Sequence, residues 1–129
     1  MLSLTSATQI FLVTGATDMR KSYNGLVAIV ENVLGRDPLA GHIFVFTNRL
    51  KNRLKLLFWD RTGLWVCAKR LEKGTFYWPE AGEASVEMSA AELALIVGGI
   101  DLKDTRRRRW YEKRSPEPTS QERGITINR

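Results

Sequence analysis

"RLKLLFWDRTGLWVCAKRLEKGTFYWP", residues Arg53 to Pro79, decides how this chain folds. Runs rich in β-branched and aromatic side chains are separated by "DRTG" (Asp60 to Gly63) and "LEKG" (Leu71 to Gly74). Both tetrads place glycine fourth, as a type I turn with a following bulge prefers. With "HIFVFT" just upstream, four β-rich runs ("HIFVFT", "RLKLLFWD", "LWVCAKR" and "TFYWPE") read as an antiparallel meander. The first turn sets Asp60 opposite Leu64, hence Trp59 opposite Trp65 and Lys55 opposite Lys69. The second sets Lys69 opposite Tyr77 and Ala68 opposite Trp78. Residues directly opposite share a face. One face then carries Leu54, Leu56, Phe58, Val66, Ala68, Phe76 and Trp78, and is expected to meet the core. The other carries Lys55, Trp59, Trp65, Lys69 and Tyr77, and is expected to meet water.

Upstream, "IFLVTGATDMRK" (Ile10 to Lys21) runs an apolar strand into a glycine turn, as a dinucleotide fold does. The likeness stops there. Gly15 is followed by no second glycine until Gly25, and Asp18 would set a carboxylate where a phosphate should sit. A P-loop fails too, because "GATDMRKS" lacks the second glycine before its Lys-Ser pair. No nucleotide cofactor is expected. "SYNGLVAIVENVLG" follows with Tyr23, Leu26, Val30, Val33 and Leu34 on one helical stripe, ended by Gly35. Near the other end, Ser89 and Glu92 form a capping box and Met88 with Leu93 a hydrophobic staple, predicting a short helix from Ala90.

The expected fold is α+β. An antiparallel four- to five-stranded meander sheet is packed on one face by the helix from Ser22 to Leu34. The short C-terminal helix near Ala90 closes an edge or end of the core. Residues 1–102 read as a single domain, and 103–129, rich in charge, Pro and Ser, as a basic arm with a disordered tail. A chain of 129 residues suits one core without a metal or disulfide staple. Its single cysteine, Cys67, fits a reducing cytoplasm. The start lacks the basic and apolar regions of a secretory signal, and no run is long enough to span a membrane.

The net charge of +6 is blocked rather than spread. Residues 49–73 carry eight basic and two acidic side chains, whereas residues 74–100 carry four glutamates and no cation. Residues 101–129 are basic again, with Arg106, Arg107, Arg108 and Arg109 in succession. A polyanion is the natural partner of such blocks.

"GATDMRKSYNGL", the paired hairpins of residues 53–79 and "GGIDL" followed by a basic run together resemble one family. It is the small second-reading-frame accessory protein, TnpB-type, of bacterial insertion sequence 66 elements, distinct from the RNA-guided nuclease that shares the label. The likeness runs from about Ile10 to Tyr111. It implies a protein that supports transposition beside a larger transposase; together with the basic blocks, the expected partner is DNA at the element ends or that transposase. It also implies importance for Asp18, Arg20, Lys21, Gly25, Lys55, Trp59, Asp60, Lys69, Arg70, Leu71, Gly74, Phe76, Trp78 and Pro79. It assigns none of them a catalytic part.

The residues themselves point away from catalysis. Phosphoryl-transfer sites gather three or four carboxylates around two metals. Here Asp18, Asp37, Asp60, Asp101 and Asp104 sit where turns and caps need them, and His42 with Cys67 cannot complete a zinc site. Asp18 is expected to organise the entrance of the first helix, with Asp18 or Ser22 as its cap. Gly63 and Gly74 should shape the turns. Arg20 and Lys21 are expected to grip phosphate beside that helix entrance. Lys55, Lys69 and Arg106–Arg109 would add charge, with Arg49, Lys51 and Arg53 of "NRLKNR" nearby. Trp59, Trp65 and Tyr77 would stack on bases. The alternative is an adaptor whose aromatic face engages the transposase or a second copy.

Overall fold

The computed structural model describes residues 7–99 other than Ala81. The arm and tail expected over 103–129 therefore lie outside the described residues. Seven elements follow in order: β1 (Ile10–Ala16), α1 (Tyr23–Asn32), β2 (Ile43–Thr47), β3 (Arg53–Trp59), β4 (Leu64–Arg70), β5 (Ser85–Met88) and α2 (Ala90–Gly98). The class is α+β, with five strands in the spatial order β4-β3-β2-β1-β5. Every neighbouring pair is antiparallel except β1 and β2, which are parallel. Parallel neighbours cannot be joined by a tight hairpin, and α1 supplies the crossover.

Both faces of the sheet are buried. Phe11, Val13, Phe44, Phe46 and Leu57 pack with Leu26 and Val30 of α1 on one side. Ile10, Leu12, Ile43, Val45, Leu54 and Phe58 pack with Leu93 and Ile96 of α2 on the other. The strand sequences "IFLV" and "IFVF" are unbroken apolar runs for that reason, since a strand covered on both sides has no polar face to present. The short C-terminal helix thus covers a face rather than closing an edge of the core. Its Ser89 and Glu92 make the expected capping box, with Ser89 Oγ accepting from Glu92 N–H at 3.1 Å and Glu92 Oε1 from Ser89 N–H at 2.8 Å. Gly35 follows α1 in the left-handed region, as expected.

Two expectations for the meander need correction. First, β3 and β4 pair one residue out of the expected register: Trp59 faces Leu64, Phe58 faces Trp65, Lys55 faces Ala68 and Leu54 faces Lys69. A bulge built on a left-handed Gly63 would have given the expected pairing, but Gly63 does not adopt positive φ; Arg61 does, at +87°. Asp60 is the cause. Its Oδ1 accepts from Thr62 N–H (2.9 Å), Thr62 Oγ1–H (2.9 Å) and Gly63 N–H (3.0 Å), and its Oδ2 from Trp65 Nε1–H (2.7 Å). One carboxylate thereby closes a four-residue loop from inside.

Second, "TFYWPE" is not a strand. Gly74 takes the left-handed conformation that the turn needs, yet the chain then leaves the sheet. Phe76 N–H donates to the Lys51 carbonyl (2.7 Å), and Phe76 and Trp78 sink into the core on the α2 face. The indole Nε1–H of Trp78 donates to the Val13 carbonyl of β1 at 2.9 Å, a buried bond between residues far apart in sequence. Pro79, which cannot donate to a ladder, ends any strand potential of this run. The fifth strand comes instead from "SVEM", which pairs Met88 with Ile10 and Ser85 with Val13.

Trp78→Phe removes that indole donor from a buried site and is expected to lower unfolding free energy by about 1–3 kcal/mol in urea titrations. At the β3–β4 turn, Arg61→Gly relieves a left-handed non-glycine residue. It is expected to raise stability by about 0.5–1 kcal/mol in the same assay, since the strain removed exceeds the added chain entropy of glycine.

Candidate nucleic-acid interface

Because β1 and β2 run parallel, their C-terminal ends lie side by side. The loop after β1, "TDMRK", therefore meets the turn after β2, "NRLKN". Thr17 N–H donates to the Thr47 carbonyl at 2.7 Å and joins the two exits. In the first loop the Asp18 carboxylate accepts from Arg20 N–H at 2.9 Å and from Arg20 Nη2–H at 2.7 Å, while Arg20 Nε–H reaches both carboxylate oxygens at 3.1 Å. Asp18 thus shapes the loop before α1 but does not cap the helix. Ser22 holds the N-cap position without a side-chain cap bond. Arg20 keeps 92% of its side chain in water.

The second loop is locked by Asn48. Its Oδ1 accepts from the backbone N–H groups of Asn52 (3.1 Å) and Arg53 (3.2 Å), and its Nδ2–H donates to Asn52 Oδ1 (2.8 Å). Thr47 Oγ1–H adds a bond to the Arg53 carbonyl at 2.9 Å. The next cations follow along the strands. Arg53 faces Arg70 directly across β3 and β4, and Arg70 is paired with Glu72 at 3.2 Å. Like charges set opposite one another are unfavourable unless something neutralises them.

Two adjoining open clefts result. One, of about 530 Å³, is lined by residues that include Asp18, Met19, Arg20, Asn48, Arg49, Leu50 and Arg53. The other, of about 400 Å³, shares Met19 and Arg53 and adds Leu54, Lys55, Ala68, Lys69, Arg70 and Glu72. Six cations line the pair of clefts against two acids, Asp18 and Glu72, and each acid is already in an ion pair.

The expected platform of lysines and rings on one face is not formed. Alternation along β3 and the observed register put Lys55 and Trp59 on the α1 face, with Trp65 and Lys69 on the α2 face. Lys55 Nζ–H donates to the Lys21 carbonyl (2.7 Å), tying β3 to the loop before α1. Lys69 Nζ–H donates to the Val97 carbonyl (2.7 Å) near the end of α2, where a cation suits the helix dipole. Trp59 is half-buried; Trp65 is 37% exposed and stacks on Phe58 with centroids 6.1 Å apart. Tyr77 is exposed on the irregular segment after Gly74. Gly25 lies against the Lys21 side chain, which a Cβ there would approach to 3.0 Å. Trp78 is core, Pro79 half-buried, and Arg106–Arg109 lie outside the described residues.

Arg20 and Lys55 thus line adjoining clefts, while Lys21 meets Lys55 through its backbone carbonyl and lines neither cleft. Arg49, Arg53 and Arg70 join Arg20 and Lys55, a grouping that charge density alone could not reveal because it follows from the parallel pair. No group of three or more His, Cys, Asp or Glu that could hold a metal occurs among the described residues. Nor is any described helix long and apolar enough to cross a membrane.

Residues 8–107 match the family model described as IS66 Orf2 like protein. The chain is also similar to two proteins of Sinorhizobium fredii (strain NBRC 101917 / NGR234). Uncharacterized protein y4jC is 35% identical over 108 residues, covering 84% of this chain and 92% of its own length. Uncharacterized protein y4hO is 38% identical over 93 residues, covering 72% of this chain and 81% of its own. No solved structure matches.

Hydrogen bonds from the Arg20 guanidinium and then from the Arg20 backbone N–H, with a smaller effect of charge, hold the Asp18 carboxyl down at about 2, below the usual 3.8. A depressed carboxylate favours the folded loop above the unfolded pKa and loses that favour as pH falls through the folded value. Loosening of the "TDMRK" loop is therefore expected only between about pH 4 and pH 2. Arg20→Gln should return the Asp18 carboxyl titration, followed by carbon-detected NMR, toward its ordinary value.

Proposed function

The chain belongs to the IS66 Orf2-like family, and from that premise we propose that it serves transposition by gripping DNA at the basic clefts, as a binding protein rather than a catalyst. A transposition accessory role comes with the family. The observation that carries the finer reading is convergence. Arg20 from one loop, Arg49 from the next and Arg53, Lys55 and Arg70 from the strand ends surround adjoining open clefts whose two acids are already paired.

Several guanidinium and ammonium groups along open clefts suit an extended phosphate backbone better than a small anion, because the two clefts share Arg53 and Met19. Phosphates would also relieve the Arg53–Arg70 opposition. The carboxylates support binding over catalysis. Asp18 is engaged by Arg20, Asp37 accepts from Leu39 N–H at 2.9 Å, and Asp60 is consumed by its own turn. These bonds engage each of the three aspartates among the described residues.

A transposase-docking role draws on other residues: Trp65, partly exposed on the edge strand β4, where an incoming strand could add to the sheet. The two roles separate by mutation and by salt. Gel shifts with duplex DNA of the element ends are expected to show affinity falling steeply with salt. Reversing Arg49 and Arg53 to Glu should weaken binding and flatten the logarithmic salt slope by about 2, one unit or so per lost phosphate contact. Trp65→Ala should leave that binding unchanged. Wild-type protein that fails to shift DNA at low salt, or a reversed variant that binds as wild type, would overturn the DNA reading.

A further inference from the structure

Leu50 stands at the tip of the turn between β2 and β3 with 69% of its surface in water, flanked in sequence by Arg49 and Lys51. A single exposed leucine is ordinary on a protein surface. Its mounting is not. The Asn48 side chain holds the backbone on the far side of the tip through Asn52 and Arg53, and Lys51 N–H donates to the Asn48 carbonyl at 3.1 Å. The carbonyls of Lys51 and Asn52 in turn accept from Phe76 N–H (2.7 Å) and Leu71 N–H (2.9 Å), so the turn is clamped to the segment that enters the core. Lys51 adopts a left-handed φ of +58°, unusual for a residue with a side chain and kept in place by those bonds. The tip therefore presents one apolar side chain from a bonded backbone, at the wall of the larger of the two basic clefts.

We infer that Leu50 is a wedge that enters a base step of duplex DNA and kinks it, while Arg49, Lys51 and Arg53 hold the phosphates on either side. The inference rests on the reading of the clefts as a DNA site and adds what that site does to its ligand. Apolar wedges flanked by cations part base steps in grooves and bend the duplex by roughly 20–90°. A charge-only grip needs no leucine and no bonded turn; a wedge needs both, since a mobile loop would fold back instead of displacing a stacked base.

The test uses the full chain and a duplex of about 20 base pairs with a central TA step, the most easily unstacked kind. The duplex carries a donor and acceptor at its ends and 2-aminopurine beside the step. Wild-type protein is expected to bring the ends closer and raise 2-aminopurine fluorescence. Compared with wild type at protein concentrations that saturate the duplex, Leu50→Ala should lose both signals, and Leu50→Met should retain them. Binding by wild type with neither signal, or undiminished signals from Leu50→Ala, would overturn the wedge and leave the DNA reading intact. Loss of transposase capture by Leu50→Ala, with DNA bending unchanged, would likewise overturn it. Absence of any binding by wild type would remove both readings together.

Discussion

The Asp60 carboxylate is the contact on which the arrangement of functional side chains depends. By accepting four hydrogen bonds, two from backbone amides, one from the Thr62 hydroxyl and one from the Trp65 indole, it fixes a four-residue loop between β3 and β4. That donor set also holds its pKa well below the ordinary carboxylate range, with the indole bond the largest cause. Side chains alternate along a strand, so one residue more or less in the loop exchanges the faces of all of β4. Asp60 thereby sends Trp65 and Lys69 to the α2 side and leaves Leu64, Val66 and Ala68 for the α1 side. Leu64 and Val66 are then available to the core that α1 covers.

A second constraint is the parallel pair at the centre. Placing β1 and β2 side by side in the same direction brings two loops together that are about thirty residues apart in sequence, from Asp18–Lys21 to Asn48–Asn52. The basic character of the clefts comes from that juxtaposition more than from any single run of charge. The glutamates of residues 80–92 fall on the other side of the sheet order, around β5, so the opposing charge blocks seen in sequence occupy opposite edges.

Much of this was legible beforehand. The first helix, the capping box at Ser89 and the existence of the β3–β4 hairpin follow from local rules. Of the expected helix stripe, however, only Leu26 and Val30 are buried and Leu34 partly so, while Tyr23 and Val33 stay exposed. Unbroken apolar runs in "IFLV" and "IFVF" also signal a sheet covered twice, a sign that the one-sided reading passed over. What was not legible depended on competition. Gly63 looked like the residue of the bulge, but an aspartate that satisfies four donors outweighed glycine's conformational freedom. "TFYWP" has strand-forming residues, yet its two large rings are more valuable filling the α2-side core, and Pro79 bars the ladder. Of the binding residues, Arg20, Lys21 and Lys55 could be picked out locally. Arg49 and Arg53 were expected near Lys55, but the meeting of Arg20 with Arg49 required knowing that two strands run parallel.

The pairing of β1 with β5 has a consequence for the newborn chain. Ile10 leaves the ribosome well before its ladder partner Met88, which follows it far along the sequence. Throughout the intervening synthesis, β1 has one side without a ladder partner, an apolar strand inviting any stray strand to join it. A message cut short before the codons of "SVEM" would release a polypeptide that can assemble β2, β3 and β4 but not shield its own first strand. Quality control by proteases would therefore act on incomplete copies more readily than on finished ones.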